Sequence, residues 1–183
     1  DGLVDIVTLQ EGKLRWYKRD TSGDFTGYDI DTTLPNSDVY DMIVVDLDKD
    51  GDLDVVTLGV DLLLFTNSGS QSFTKSELQG TNYDSFGMDI GDVDGDGNLD
   101  ILVGTTKNQN DAMYYMQADG AGSYTKVEID SWTTSGSTPY EAHYLADVVL
   151  VDIDGDGDLD IVGAHYKSGS PNPASRVSWF KND

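Results

Sequence analysis

The stretch Asp92-Val-Asp-Gly-Asp-Gly-Asn-Leu-Asp100 lies near the middle of the chain and recurs almost unchanged on either side. The other copies are Asp46-Leu-Asp-Lys-Asp-Gly-Asp-Leu-Asp54 and Asp152-Ile-Asp-Gly-Asp-Gly-Asp-Leu-Asp160. Each copy has carboxylates at positions 1, 3, 5 and 9, and a glycine at position 6 that permits a tight turn. Ca²⁺ binds roughly six to eight oxygen atoms, including backbone carbonyls, and such a loop can supply most of them. The repeated spacing therefore predicts three calcium sites.

The EF-hand loop begins with the same acidic pattern, but the rest of its pattern is missing here. An EF-hand needs a bidentate Glu at position 12 and a helix after the loop. Position 12 is Thr57, Val103 or Gly163 in the three copies, and aliphatic residues follow each loop directly. We therefore predict that the loops connect β-strands.

The interval between the loops indicates a repeat. Short apolar runs separated by Gly, Asp, Ser and Asn predict β-strands along nearly the whole chain. Equivalent loop positions lie about 46 and about 60 residues apart, close to the roughly 40 to 50 residues of a four-stranded propeller blade. We predict an all-β fold of β-propeller-type blades with four antiparallel strands each, and an Asp-rich calcium loop in the first hairpin of each blade. About three and a half blades would form a single repeat domain over 1–183. The predicted units are a partial blade 1–39, a blade 40–78, a blade 86–130, an insertion loop 131–140 and a partial blade 145–183.

A truncated fourth copy of the loop stands at the start of the sequence. The segment Asp1-Gly-Leu-Val-Asp5 matches the last five positions of the pattern and is followed by Ile6-Val7. Only Asp1 and Asp5 of its acidic positions are present, so a fourth calcium site is predicted only as a truncated one.

The charge of the chain limits its partners. Acidic residues number 34 against 11 basic ones, and the formal net charge is −23. A chain this negative is a poor partner for nucleic acid or an anionic membrane surface. Cysteine is absent, which excludes disulfides and thiol chemistry. No apolar run approaches the roughly 18 residues of a membrane-spanning helix, so we predict no membrane insertion. Open calcium sites with Kd values of roughly 10⁻⁴–10⁻³ M suit the calcium concentration outside cells, and we predict a secreted or cell-surface protein.

The loops with their following aliphatic pair, a W/F-x-x-N element and Phe86-Gly87 together resemble the FG-GAP/VCBS repeats. These repeats are the blades of calcium-binding β-propellers such as the integrin alpha-chain head, and the resemblance covers essentially the whole chain. It implies calcium in the hairpin between the first and second strands of each blade. The implied side-chain ligands are Asp46, Asp48, Asp50, Asp54, Asp92, Asp94, Asp96, Asp100, Asp152, Asp154, Asp156 and Asp160. The implied carbonyl ligands are those of Asp52, Asn98 and Asp158, and the truncated loop adds Asp1 and Asp5.

The resemblance points to a non-enzymatic scaffold for adhesion or extracellular assembly. Its partner would be another protein, or copies of the chain itself joined through the end strands, since unpaired strand edges favour such pairing. No G-x-S-x-G elbow supports a serine nucleophile, and the calcium loops account for many of the carboxylates. One alternative is a calcium-dependent carbohydrate-binding module of lectin type, for which the candidate aromatic residues are Trp132, Tyr140, Tyr144 and Tyr166. A polysaccharide-active enzyme domain is the other alternative.

Overall fold

The chain folds into four antiparallel β-sheets that follow one another along the sequence. The computed structural model describes residues 2–34, 39–69, 71–80, 84–107, 110–133, 142–168 and 175–182. These residues form strands, turns and bends, with no helix among them. The predicted all-β class is confirmed, and sheets of three or four antiparallel strands are consistent with propeller-like blades.

Strands neighbouring in sequence pair with each other in every sheet. Sheet 1 contains β1 (Ile6–Gln10), β2 (Lys13–Arg19) and β3 (Phe25–Asp31). Sheet 2 contains β4 (Val39–Val45), β5 (Asp54–Gly59), β6 (Asp61–Asn67) and β7 (Phe73–Gly80). Sheet 3 contains β8 (Asp84–Gly91), β9 (Asp100–Lys107), β10 (Asn110–Ala118) and β11 (Tyr124–Thr133). Sheet 4 contains β12 (Ala142–Val151), β13 (Asp160–Ser168) and β14 (Ser175–Phe180).

The strand ends can be compared with the boundaries predicted for the insertion loop and the last unit. Strand β11 continues to Thr133, three residues into the stretch 131–140, and the rest of that stretch lies outside the described residues. Strand β12 begins at Ala142, so sheet 4 starts three residues earlier than the predicted unit 145–183.

The central strands of sheets 2 and 3 are buried on both faces, because each of these sheets lies between two others. Strand β5 is buried along its whole length, and its sequence is a nearly continuous apolar run, as expected where both faces are covered. The apolar side chains form three cores, one between each pair of consecutive sheets. Their centres include Phe65 between sheets 1 and 2, Tyr114 between sheets 2 and 3, and Leu145 between sheets 3 and 4.

A β-bulge recurs five residues before each acidic loop. The first strand of sheets 2, 3 and 4 shifts register against the second strand at this point. The residues after the shift are Asp41, Gly87 and Asp147. Because a bulge bends the strand and increases its twist, the recurrence gives the three sheets the same local shape where they stack.

Sheets 3 and 4 approach closely at two glycines. A Cβ atom on Gly87 would lie 2.8 Å from the backbone nitrogen of Val148. A Cβ atom on Gly104 would lie 2.5 Å from Cδ2 of Leu145. Both separations are below van der Waals contact. At Gly87 the neighbouring atom is backbone, so this position requires a residue without a side chain, whereas at Gly104 it is the end of the Leu145 side chain.

Aspartates in first strands also connect consecutive sheets. Asp41 Oδ2 accepts a hydrogen bond from the amide of Met88, at 3.2 Å, and so joins sheet 2 to sheet 3. Asp89 Oδ2 accepts one from the amide of Leu150, at 2.7 Å, and joins sheet 3 to sheet 4. The other oxygen of each carboxylate accepts the amide of the residue that follows it in the chain. Each aspartate therefore satisfies a backbone donor in the neighbouring sheet.

Sheets 1 and 2 are joined by a different aspartate. Asp31 Oδ2 forms an ion pair with Lys75 Nζ at 3.0 Å, and its Oδ1 accepts the amide of Thr33 at 2.6 Å and the Thr33 hydroxyl at 2.7 Å. Burial alone would raise the pKa of Asp31, but the Thr33 and Lys75 donors lower it below the usual 3.8. The ionised form is therefore favoured by folding.

Candidate metal centres

The three acidic loops connect the first and second strands of sheets 2, 3 and 4. They are named here loop 1 (46–54), loop 2 (92–100) and loop 3 (152–160). Each loop brings three carboxylates together, with one oxygen of each within 4.8 Å of the others. The clustered residues are Asp46, Asp48 and Asp50 in loop 1, Asp92, Asp94 and Asp96 in loop 2, and Asp152, Asp154 and Asp160 in loop 3.

Backbone amides hold the loops in shape. The position-6 glycine donates to the position-1 carboxylate in every loop, and the position-7 amide donates to the position-5 carboxylate. The first set of bonds is Gly51 to Asp46 at 3.1 Å, Gly97 to Asp92 at 2.9 Å and Gly157 to Asp152 at 3.1 Å. The second set is Asp52 to Asp50 at 2.9 Å, Asn98 to Asp96 at 2.7 Å and Asp158 to Asp156 at 3.1 Å. With the amides of positions 6 and 7 turned inward, the aspartates are fixed side by side despite their like charge.

Two buried carboxylate oxygens lack a hydrogen-bond partner in the part of the chain that the structure describes. These atoms are Asp46 Oδ1 and Asp92 Oδ1, the position-1 oxygens of loops 1 and 2. An unpaired buried carboxylate oxygen is costly, and a bound cation would relieve this cost. The surrounding donor set consists of oxygen atoms only, which suits a hard cation. The clusters are therefore compatible with Ca²⁺.

The position-9 aspartates are almost fully buried, with exposures of 1% for Asp54 and 0% for Asp100 and Asp160. In each loop, one oxygen accepts the amide of position 2, and the other accepts an amide at or just beyond the end of the third strand. The bonds are Leu47 at 2.9 Å and Asn67 at 2.8 Å to Asp54, Val93 and Ala118 at 2.9 Å to Asp100, and Ile153 at 3.2 Å and Asn182 at 2.9 Å to Asp160. We name this pair of bonds the position-9 clasp. Since a carboxylate has about four acceptor sites, the clasp leaves some for a metal.

The clasp affects the three carboxyl groups differently. Burial raises the pKa of Asp54 and of Asp100, although the clasp amides oppose this. The pKa of Asp160 is lowered, chiefly by the amide of Asn182. Burial therefore disfavours the charge of Asp54 and of Asp100, and a positive ion bound in the loop would offset this cost.

Loops 1 and 2 are in direct contact. The ammonium of Lys49, at position 4 of loop 1, donates a hydrogen bond to the carbonyl of Gly97 in loop 2. Lys49 has a positive φ of 61°, where loops 2 and 3 have Gly95 and Gly155. A lysine is strained in this left-handed region, so the loop fold and the contact with Gly97 hold it there.

The truncated first loop keeps a clasp of its own. Asp5 Oδ1 accepts the amide of Arg19 at 2.8 Å, just as Asp54 accepts the amide of Asn67. Asp5 Oδ2 accepts the indole Nε1 of Trp16 at 2.9 Å, in place of a loop amide. Asp1 lies outside the described residues.

Two residues beside the loops were missed from the sequence. The Gln117 amide donates to Asp94 Oδ2 in loop 2, and Lys181 Nζ lies 2.9 Å from Asp154 Oδ2 and 3.3 Å from Asp156 Oδ2 in loop 3. Gln117 comes shortly after Tyr114-Tyr115 in β10, and Lys181 directly follows Trp179-Phe180 at the end of β14. Their distance from the loops in sequence hid the contact, and only the strand register shows it.

The aromatic residues of the carbohydrate alternative are spread over several strands. Trp132 lies in β11, and Tyr144 of β12 is the register partner of Tyr166 of β13. Tyr140 lies outside the described residues. A cavity of about 610 Å³ is found elsewhere, between sheets 1 and 2, and Trp16 is among the residues that line it.

The family model of the FG-GAP-like repeat matches the chain three times, at residues 1–57, 59–103 and 92–163. The matches together extend over most of the chain and include all three loops. No curated protein is significantly similar to the chain in sequence. Within the described residues, no helix is long and apolar enough to span a membrane.

Proposed function

The chain belongs to the FG-GAP-like repeat family, and from this premise we propose a secreted, calcium-stabilised repeat protein that serves as a scaffold for adhesion or extracellular assembly. Repeats of this family are typical of extracellular or surface proteins and are typically non-catalytic. The observation that carries the proposal is that each of three successive loops brings three carboxylates together, and that two of the loops contain a buried carboxylate oxygen with no partner among the described residues.

Calcium would be held by the loop carboxylates and by one backbone carbonyl in each loop. In loop 1 the ligands would be the side chains of Asp46, Asp48, Asp50 and Asp54 with the carbonyl of Asp52. In loop 2 they would be the side chains of Asp92, Asp94, Asp96 and Asp100 with the carbonyl of Asn98. In loop 3 they would be the side chains of Asp152, Asp154, Asp156 and Asp160 with the carbonyl of Asp158. The bound ion supplies positive charge where the sequence has concentrated negative charge.

The stabilisation expected from calcium can be estimated by mass action. With Kd values of roughly 10⁻⁴–10⁻³ M, 10 mM calcium contributes about 1.4 to 2.7 kcal/mol per occupied site. Three sites would then add about 4 to 8 kcal/mol to the free energy of unfolding. This is comparable to the whole stability of many domains, so removal of calcium should be obvious in a melting experiment.

The experiment compares thermal unfolding of the full chain in 10 mM CaCl₂, in excess EDTA and in 10 mM MgCl₂. We expect a melting temperature more than about 8 °C higher in calcium than in EDTA, since each kcal/mol shifts Tm by about 2 to 4 °C at this chain length. Magnesium should stabilise much less, because it demands six near-ideal octahedral ligands and loses its water reluctantly. An unchanged melting temperature in EDTA would refute calcium stabilisation.

The surface that we propose for assembly is the outer face of sheet 4. In sheet 2, the row Ile43–Val56–Leu64 runs across the first three strands and packs against sheet 3. In sheet 3, Leu102 and Tyr115 of the equivalent row pack against sheet 4. The same row therefore forms the interface with the following sheet in both cases.

In sheet 4 this row is Val149–Val162–Trp179, and it is only partly covered. The exposed fractions are 43% for Val149 and 49% for Trp179. Asp147, the bulge residue equivalent to Asp41, is exposed on the same face. We propose that a sheet from a second copy of the chain packs on this row. A backbone amide of that sheet would donate a hydrogen bond to Asp147, as an amide of sheet 3 does to Asp41.

The test is absolute mass by light scattering after size exclusion, in millimolar calcium. We expect a mass above the 19.9 kDa of one chain, and a return to one chain in the Val149→Lys variant. Tyr40→Lys, at a 44% exposed position of β4, is the matched control and should leave assembly intact. A single-chain mass for the unmodified protein at tens of micromolar would refute assembly through this face.

A further inference from the structure

The ammonium of Lys181 reaches into loop 3, where a metal ion would compete with it for the carboxylates. Its ammonium lies between the carboxylates of Asp154 and Asp156, which are positions 3 and 5 of the loop. The side chain of Lys181 is 41% exposed and those of Asp154 and Asp156 are 27% and 33% exposed, so solvent reaches both contacts. Loop 3 thus already contains a positive charge supplied by the chain.

The residue equivalent to Lys181 differs among sheets 2, 3 and 4, which contain the complete loops. Val162 pairs with Trp179, Leu102 with Tyr115 and Val56 with Leu64, so the residues two places further along are structurally equivalent. These equivalent residues are Thr66 beside loop 1, Gln117 beside loop 2 and Lys181 beside loop 3. Gln117 reaches Asp94 as a neutral donor, and Lys181 reaches the corresponding Asp154 as a cation. Thr66 is short and carries no charge.

Loop 3 also differs internally, in the direction expected of a loop that already holds a cation. Asp156, paired with Lys181, is not among the clustered carboxylates, whereas its counterparts Asp50 and Asp96 are. Asp152 Oδ1 accepts the amide of Gly155 at 2.7 Å, whereas the equivalent oxygens in loops 1 and 2 have no partner among the described residues. The loop has thus satisfied oxygens that loops 1 and 2 leave available.

We propose that Lys181 is a tethered cation that competes with Ca²⁺ at loop 3, and that the residue at this position (Thr66, Gln117 or Lys181) contributes to the difference in calcium affinity between the loops. This inference rests on the proposed calcium function. Calcium binding at loop 3 must displace the ammonium from Asp154 and Asp156 and release it to solvent. The competition makes calcium binding at loop 3 weaker than at loop 1, by about tenfold for two partly exposed ion pairs. The protein would then fill its sites in order as calcium rises.

The test is a calcium titration of the full chain followed by amide NMR, with Gly51 and Gly157 as reporters of loops 1 and 3. In the unmodified protein we expect the midpoint at Gly157 to lie about tenfold above that at Gly51. Lys181→Thr should lower the Gly157 midpoint about tenfold and leave Gly51 unchanged. The reciprocal Thr66→Lys should raise the Gly51 midpoint. Lys181→Gln, which copies the residue beside loop 2, should give an intermediate midpoint.

The outcomes separate this inference from the proposal on which it rests. If both reporters respond to calcium but Lys181→Thr leaves the Gly157 midpoint unchanged, calcium binding stands and the competition is refuted. The same holds if loop 3 fills before loop 1 in the unmodified protein. If neither reporter responds to calcium, both the calcium function and the competition are refuted.

Discussion

The position-9 clasp predicts that Asp100 matters to the fold even when no calcium is present. Asp100 is fully buried, and its two oxygens accept the amides of Val93 and Ala118, both at 2.9 Å. Replacing Asp100 by alanine removes both acceptors and leaves two buried amides without partners. The clasp is thereby broken at the loop and at the third strand together.

The size of the effect follows from these two bonds. An orphaned buried donor costs about 1 to 3 kcal/mol, so two cost about 2 to 6 kcal/mol. Burial raises the pKa of Asp100, so the variant also loses an unfavourable buried charge, which offsets part of this cost. We therefore expect a loss of about 3 kcal/mol in the free energy of unfolding, or about 6 to 12 °C in melting temperature at this chain length.

The assay is thermal and urea unfolding in excess EDTA, so that lost calcium binding does not contribute. Asp96→Ala is the matched control, because Asp96 is an exposed member of the same loop. Asp100→Asn keeps one acceptor and should fall between the two. If Asp100→Ala in EDTA is no less stable than Asp96→Ala, the clasp does not hold the sheet, and the burial of Asp100 needs another explanation.

Two further predictions concern the contacts between sheets. Gly87→Ala places a methyl group 2.8 Å from the backbone nitrogen of Val148, which cannot move independently; we expect a loss of about 1 to 3 kcal/mol by urea unfolding, as for other overpacked interiors. Asp31 has a lowered pKa because Thr33 and Lys75 favour its ionised form despite burial, so its contribution is present at neutral pH and is lost as the pH falls through that pKa. The difference in melting temperature between the unmodified protein and Asp31→Asn, measured in EDTA, should therefore be largest near pH 7 and shrink below about pH 4.

These two predictions have separate controls. Gly27→Ala is matched to Gly87→Ala, because its nearest neighbour would be the Tyr17 ring at 3.0 Å, a side chain that can move. Equal losses for both alanines would contradict the claim that backbone contact makes Gly87 necessary. For Asp31, a difference that stays constant from pH 7 to pH 3 would show that the carboxylate charge contributes nothing to folding.

The sequence predicted the all-β class and the grouping of carboxylates well, since both depend on local patterns. Alternation and turn residues specify strands, and the loop spacing brings positions 1, 3 and 5 together in loops 1 and 2 without help from the rest of the chain. The same spacing could not predict that Asp54 would accept an amide from Asn67, 13 residues further on. That contact depends on the register of three strands and on burial.

Lys181 illustrates the same limit more strongly. Its distance in sequence from Asp154 hides the contact, which arises because β14 pairs with β13 in the register that places Trp179 opposite Val162. Spacing alone made the three loops look equivalent. Their differences come from residues contributed by another strand, and a pattern confined to nine positions cannot contain them.

Each apolar core described here joins only sheets that are consecutive in the chain, and this has a consequence for how cooperatively the molecule opens. In such a linear array, stability is the sum of what each unit contributes and what each nearest-neighbour interface adds. Sheets 2 and 3 have two interfaces each, whereas sheets 1 and 4 have one among the described residues. Local opening should therefore begin at the outer sheets and reach strands such as β5 and β9 last. A partner packed on sheet 4 would then do more than bind, because it would turn a terminal unit into an internal one and extend the cooperative unit by one sheet.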